Sequence, residues 1–161
     1  MIVVDSGERY EHASGAYANR RAECIQAVEA IRVAGYTIEA LRDATPEMLD
    51  AISGVAQRRA RHVTTENARV MQFITALRTG DWKSAGACMN ASHVSLRDDF
   101  EVSANPLDAI VDQLNADPGV FGARLTGGGH GGSVLALAKV SSCLDGFLAR
   151  PCGGPRVERV S

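Results

Sequence analysis

The chain has 161 residues, 45% of them apolar, and a formal net charge of −2. This length and composition can bury one hydrophobic core, so we expect a single domain spanning residues 1–161. The near-neutral charge argues against nucleic acid as a partner. The basic run of Arg58, Arg59 and Arg61 is too short to form a nucleic-acid binding surface. No apolar run approaches the roughly 20 residues that span a bilayer, so we expect no membrane partner.

The four cysteines are Cys24, Cys88, Cys143 and Cys152. They are widely spaced and form neither a C-x-x-C pair nor a Cys/His set with the spacing of zinc ligands. We therefore expect no metal site, and free thiols in a reducing cytoplasm.

The chain opens on a β-branched run from Ile2 that predicts a buried strand. Ser14 can cap a helix that continues to about Val33, and Gly35 lies just beyond as a stop signal. Thr45-Pro46 then supplies a cap and a first-turn proline for a short helix that ends near Gly54.

Three more helices follow. The apolar spacing predicts one from about Val55 to Thr79, with Gly80 after its end. Asp81 can cap the next, which reaches about Leu96, and Asn105-Pro106 can start a third that ends near Ala116.

After Pro118-Gly119 the pattern changes to short β-prone runs. Val120–Thr126 and Ser133–Val140 predict antiparallel neighbours, and Phe147–Arg150 predicts another strand. The sum is an α+β domain with about four strands in one antiparallel sheet and helices mainly on one face.

The segment that joins the first two of these strands, Thr126 to Gly132, contains five glycines in seven residues. Without side chains, consecutive backbone N–H groups can face an anion, or another chain can approach closely. The alternative is a tight strand connection that only needs positive φ angles. The run matches neither a P-loop, because no Lys-Ser/Thr pair follows, nor a Rossmann turn, because a strand follows it.

Four collinear segments resemble galactokinases, a family of the GHMP kinase superfamily. They cover residues 14–24, 59–69, 92–103 and 122–129. Their order is that of the C-terminal half of such an enzyme. The resemblance implies a GHMP kinase C-terminal domain, in a family that transfers phosphate from MgATP to galactose.

By this resemblance Tyr17 aligns with a tyrosine that contacts the sugar. Thr126, Gly127, Gly128, Gly129, Gly131 and Gly132 would form a wall of the nucleotide site. The family's sugar motif, Ser-rich ATP loop and catalytic Asp precede the strand at residue 2 and have no counterpart here. We therefore expect no catalytic residue in this chain, no tight binding of ATP or Mg²⁺, and no activity until an N-terminal half completes the galactose and ATP sites.

The chain also departs from the family pattern. Ala16 stands where Glu is usual, His130 where Phe is usual, and Ser133 where Cys is common. Residues 141–161 are short compared with the family, which has a helix before its last strand. A non-catalytic binding module derived from a GHMP kinase stays an alternative. So does a GHMP kinase for another small alcohol, because the glycine motif is shared across the superfamily. Without an N-terminal half, the apolar face that this half would cover is exposed. That exposed face predicts self-association into a homo-oligomer.

Other polar groups receive structural interpretations. We expect Arg97, Asp98 and Asp99 to satisfy one another and backbone groups at a helix end. The cluster at residues 58–61 is expected on the solvated face of its helix, with His62 and Glu66 as a local pair. His130 is expected to be an exposed replacement for an aromatic ring.

Overall fold

A computed structural model describes residues 1–8, 13–140 and 144–150 of the chain. Its order is strand β1 (Ile2–Asp5), helix α1 (Ala13–Val33), a 3-10 helix (Leu41–Asp43), then helices α2 (Pro46–Asp50), α3 (Gly54–Thr79), α4 (Trp82–Asp98) and α5 (Asn105–Asn115), and strands β2 (Val120–Thr126), β3 (Ser133–Ala138) and β4 (Phe147–Leu148). The predicted α+β class is confirmed.

The four strands form one antiparallel sheet with the order β2-β3-β1-β4. Val4 of β1 faces Val134 of β3, and Leu125 of β2 faces the same residue from the other side. This register brings the end of β1, the end of β2 and the start of β3 together at one end of the strands, where the glycine run lies.

Helix α4 covers the open edge of β2. Asn90 Oδ1 accepts a hydrogen bond from the Ala123 amide at 2.9 Å, and His93 Nδ1 accepts a longer one from the Leu125 amide at 3.4 Å. The backbones touch where Gly86 of α4 meets Gly122 of β2, since a Cβ on either glycine would clash with the opposing main chain. Side chains thus pair amides that an edge strand would leave open.

The apolar core has three parts. Helix α5 packs on β2 and β3 through Leu107, Val111 and Leu114. Beyond α4, helices α1, α2 and α3 enclose a second cluster that includes Ala27, Ile31, Leu41, Leu49 and Ala60. A third cluster lies between α3, α4 and β3 at Ala76, Ala85, Met89 and Leu137.

Most helix boundaries follow the predicted signals. Gly80 ends α3 in the left-handed region with φ of 71°, and the Asp81 carboxylate caps α4 by accepting from the Ser84 amide at 3.0 Å. The predicted Asn105 cap is wrong by one residue. The Ala104 carbonyl accepts the first bonds of α5, so Asn105 already lies inside that helix.

The predicted Ser14 cap is also misplaced, because α1 already begins at Ala13. Other predictions fall outside the described residues, namely Cys143, Cys152, and most of the shortened segment 141–161. Within the described residues, no helix is long and apolar enough to cross a membrane.

Candidate functional site

The glycine loop, defined as residues 126–132, joins β2 to β3 and adopts conformations that require glycine. Gly127, Gly129, Gly131 and Gly132 have φ of 88°, 80°, 143° and 90°. Gly128 does not have a positive φ. A Cβ on Gly127 or Gly128 would meet nothing within 4 Å. Most of these positions would therefore strain any L side chain.

The loop is anchored at its second half. The His130 amide donates to the Val102 carbonyl at 2.7 Å, and the Gly132 carbonyl accepts from the Ser6 amide at 2.9 Å. The Gly132 amide donates to the Glu8 carbonyl at 3.1 Å. In contrast, the amides of residues 127–129 donate to no described residue, so the first half of the loop keeps backbone donors available.

His130 is the loop's one residue with a large side chain. It is half-buried and has φ of 60°, so the expectation of an exposed side chain is wrong. The following residue, Gly131, is buried. The loop is thus packed against the domain at this point.

The loop packs against the segment that follows α4, which we call the 99–102 connector. Gly129 approaches it so closely that a Cβ would lie 2.2 Å from the Val102 oxygen. Within the connector Glu101 has φ of 54°, a conformation that costs a residue with a side chain about 1–3 kcal/mol unless its surroundings enforce it.

Arg59 supplies much of that enforcement. Its guanidinium donates to the Asp99 carbonyl at 2.6 Å, to Glu101 Oε2 at 2.6 Å and to Glu23 Oε2 at 2.7 Å. The residue is only 1% exposed. The prediction that this cluster lies on a solvated face is therefore wrong for Arg59. Its three hydrogen-bond partners offset the cost of burying its charge.

Arg58 and Arg61 add outer contacts to the connector. Arg58 pairs with Glu101 at 2.9 Å and Arg61 with Asp99 at 3.2 Å. Both cations are exposed enough that each pair contributes little by itself. The prediction that Arg97, Asp98 and Asp99 satisfy one another holds for Arg97 and Asp98, which pair at 2.7 Å. It is wrong for Asp99, whose carboxylate accepts from Ser95 and Arg61.

His62 packs beneath the connector. Its ring stacks on Phe100 with centroids 4.4 Å apart, and Nδ1 lies 3.0 Å from Ser95 Oγ. Ser95 Oγ donates to Asp99, so it must accept from His62, which requires a proton on Nδ1. Burial lowers the pKa of His62 to about 4. The predicted pairing of His62 with Glu66 is wrong.

Glu66 instead forms a second polar cluster beside the loop. Its carboxylate accepts from Ser92 Oγ at 2.5 Å, from Arg69 Nε at 2.8 Å and from Arg124 Nη1 at 2.9 Å. Burial acts to raise the pKa of Glu66, but the bonds from Ser92 and Arg69 and the charge of Arg124 hold this pKa below its usual value. Glu66 thereby joins α3, α4 and β2.

This cluster borders an open cavity of about 290 Å³ on the side of the sheet where Leu135 lies. Thr126, the first residue of the glycine loop, lines the same cavity. Its remaining wall is largely apolar and includes Phe73 and Met89.

Tyr17 lies in the first half of α1 and is 67% exposed. One helical turn later on the same face, Arg20 Nη2 donates to the Glu101 carbonyl at 3.1 Å. The helix that bears Tyr17 and the glycine loop thus both contact the 99–102 connector. Their roles as sugar contact and nucleotide-site wall stay predictions.

Part of this chain matches the family model described as GHMP kinases C terminal, over residues 73–142. A galactokinase of Thermotoga maritima is 40% identical over 85% of this chain and 38% of its own length. A galactokinase of Chloroflexus aurantiacus is 42% identical over 93% of this chain and 41% of its own.

A solved structure agrees. The structure of Lactococcus lactis galactokinase complexed with galactose superposes with a TM-score of 0.79 at 31% identity, over 85% of this chain and 36% of that one. The chain therefore spans about two fifths of the length of the relatives it matches.

The sheet topology, the glycine loop and the family model together define a GHMP kinase C-terminal domain. Within that class, the chain is a homologue of the C-terminal region of galactokinases. The resemblance found in the sequence is confirmed, and so is the predicted fold.

Proposed function

We propose that this chain supplies part of a galactokinase-type active site, which transfers the γ-phosphoryl group of ATP to the anomeric hydroxyl of galactose. In this proposal residues 1–161 form one domain and contribute Tyr17 to the sugar site and the glycine loop to the nucleotide site. The observation that carries the proposal is the match to galactokinases at 40–42% identity across 85–93% of the chain.

The geometry of the loop supports its proposed role. Phosphoryl transfer depends on positioning and on stabilising negative charge. Residues 127–129 offer backbone donors without side chains, and the anchors at His130 and Gly132 fix the loop in place. Such a segment can pack against a nucleotide-binding loop or donate to a phosphate oxygen.

The metal would be held elsewhere in a complete enzyme. Across residues 1–8, 13–140 and 144–150, no group of three or more His, Cys, Asp and Glu side chains could hold an ion. We propose that Mg²⁺ and the main phosphate contacts of ATP belong to the remaining part of a galactokinase. Bound Mg²⁺ would neutralise the developing charge on the transferred phosphoryl group.

Complementation tests the proposal. The N-terminal region of the Thermotoga maritima galactokinase, up to the start of the match, is purified and mixed with this chain. Galactose-dependent ATP consumption is then measured. We expect turnover from the mixture and none from either component alone. A mixture that forms a complex without turnover would contradict the catalytic proposal.

Tyr17 is tested in the reconstituted mixture. Tyr17→Ala should raise KM for galactose about tenfold, as expected for the loss of one well-placed polar contact, with KM for ATP unchanged. Tyr36→Ala is the matched control, because Tyr36 lies after α1 and is 36% exposed. An equal effect of both substitutions would argue against a sugar contact by Tyr17.

A non-catalytic binding module is the second candidate. Three departures from the family pattern favour it. Ala16 lies beside Tyr17, His130 lies within the glycine loop, and Ser133 directly follows the loop. Calorimetry of the chain with galactose and with ATP addresses this candidate. The binding module would be favoured if the chain binds neither galactose nor ATP and also restores no activity with an N-terminal half.

Self-association is proposed through β4. Phe147 and Leu148 of this short edge strand are 74% and 63% exposed. Such an apolar edge can pair with a second copy. Sedimentation should show a concentration-dependent dimer that Phe147→Lys removes, and a monomer at all concentrations would contradict the proposal.

A further inference from the structure

One buried cation on α3 contacts two other parts of the domain at once. Arg59 of α3 bonds to Glu23 on α1 and to both Asp99 and Glu101 of the 99–102 connector. Glu23 lies six residues after Tyr17 on the same helix. The cation therefore ties the helix that bears Tyr17 to the connector.

The connector passes this constraint to the glycine loop. Its last residue, Val102, is 5% exposed, and its carbonyl accepts the His130 amide while packing against Gly129. The strained Glu101 lies between the bonds of Arg59 and the contact with the loop. A left-handed residue in such a position would relax once its partners are removed, and it would carry Val102 with it.

The connector also touches α1 directly. The Arg20 guanidinium lies 5.6 Å from the centroid of the Phe100 ring and donates to the Glu101 carbonyl. Arg20 pairs in turn with Glu23, so on α1 Arg20 contacts the connector and Glu23 contacts Arg59.

We propose that Arg59 is a positioning residue that couples the helix bearing Tyr17 to the glycine loop, through the 99–102 connector. The guanidinium fork sets the distance between α1 and the connector, because each of its three nitrogens serves a different acceptor. A shift of α1 at Tyr17 therefore moves the loop, and a shift of the loop moves α1.

The proposed function gives this coupling its purpose. If Tyr17 contacts the sugar and the loop borders the nucleotide, Arg59 aligns two substrate sites that lie on separate elements. Alignment of reactants is a principal source of rate acceleration in phosphoryl transfer. The coupling itself is a property of the chain alone and is measured without activity.

The test follows backbone amides in the ¹⁵N-labelled chain. Glu23→Gln keeps the side-chain shape but weakens a charged hydrogen bond to Arg59. We expect changed chemical shifts at residues 129–132 and about a tenfold faster hydrogen exchange of the His130 amide, from easier local opening. Amides of α5, which has no part in the network, should exchange at the wild-type rate.

Glu29→Gln is the matched control on the same helix. Glu29 pairs with Arg32 at 3.8 Å on the surface, away from the connector, so this variant should leave the loop unchanged. If Glu23→Gln instead raises exchange equally in α5 and the loop, or leaves the loop shifts unchanged, Arg59 is merely structural and the proposal is overturned.

Two further variants keep the test decisive. Glu101→Gln should change the same loop amides, and the double variant with Glu23→Gln should show less than the product of the two effects, because one guanidinium binds both carboxylates. Independent effects would contradict a shared coupling residue. If Glu23→Gln fails to fold, Arg59→Lys gives the same readout, since Lys keeps the charge but lacks the planar fork of three nitrogens.

The reconstituted enzyme separates this proposal from the proposed function. With turnover, Glu23→Gln should lower kcat several-fold while Glu29→Gln does not. Absence of turnover in every mixture would overturn the catalytic proposal, yet loop shifts in Glu23→Gln would still support the coupling.

Discussion

Gly129 and Val102 share a contact that leaves no room for a side chain. A Cβ on Gly129 would lie 2.2 Å from the Val102 carbonyl oxygen, the same oxygen that accepts the His130 amide. The glycine at this position is thus required by packing as well as by its φ of 80°. Both requirements hold the loop against the connector.

We therefore expect Gly129→Ala to destabilise the chain by about 3 kcal/mol, from strain at positive φ together with the clash at Val102. Gly128→Ala is the matched control, because Gly128 has no positive φ and open space around it, and it should stay within about 0.5 kcal/mol of wild type. Urea unfolding followed by Trp82 fluorescence measures both. Equal losses would show that the Val102 contact is unimportant.

Gly86 gives a second prediction at the edge of the sheet. A Cβ there would lie 1.9 Å from the Phe121 oxygen, so Gly86→Ala must separate α4 from β2. We expect a loss of about 3 kcal/mol or more, in spite of the better helix propensity of alanine.

The control for this prediction is Gly15→Ala in α1. Nothing lies within 4 Å of a Cβ at that position, so propensity should dominate and stability should rise by up to about 1 kcal/mol. Thermal unfolding of the two variants checks the contrast. A stable Gly86→Ala protein would contradict the close contact between the two backbones.

Local signals account for the elements that could be predicted. The strand Val120–Thr126 and the end of α3 at Thr79 were predicted at the observed residues, because β-branched runs, prolines and glycines act on their own neighbourhood. The cap of α5 was misplaced by one residue, since two adjacent carbonyls can each begin a helix and local sequence does not choose between them.

The buried polar network could not be predicted in the same way. Arg59 was expected on a solvated face because it belongs to a run of charges, and His62 was expected to pair with Glu66. Their spacing with Glu66 and Arg69 is helical, which places all four on one side of α3 and was the available signal. Only the fold brings Glu23 and Glu101 to Arg59, from 36 and 42 residues away in sequence.

Asn90 gives a third prediction. Its side-chain oxygen accepts the Ala123 amide at the open edge of β2, so Asn90→Ala leaves a partly buried donor unpaired. We expect a loss of about 1–2 kcal/mol. Asn90→Asp keeps an acceptor oxygen and should recover part of that loss. Hydrogen exchange of the Ala123 amide should be accelerated in Asn90→Ala more than in Asn90→Asp, and the reverse order would contradict edge pairing by Asn90.

His62 gives a prediction about pH. Burial lowers its pKa to about 4 in the folded chain, against an unfolded value near 6.5. Between these two values the unfolded chain binds a proton that the folded chain does not, so stability is complete above pH 6.5 and falls as the pH decreases toward 4. The full loss from this group is about 3 kcal/mol.

His62→Asn removes the titrating ring while offering a short amide toward Ser95 Oγ. The variant should be less stable at pH 7, because it loses the stacking on Phe100, but its stability should decline less between pH 6.5 and pH 4.5 than that of wild type. Urea unfolding at several pH values measures the slopes, and an NMR titration of the His62 ring in the folded chain gives its midpoint directly. A midpoint near 6.5 would contradict the prediction, because it would mean that burial does not disfavour the charged form of the ring.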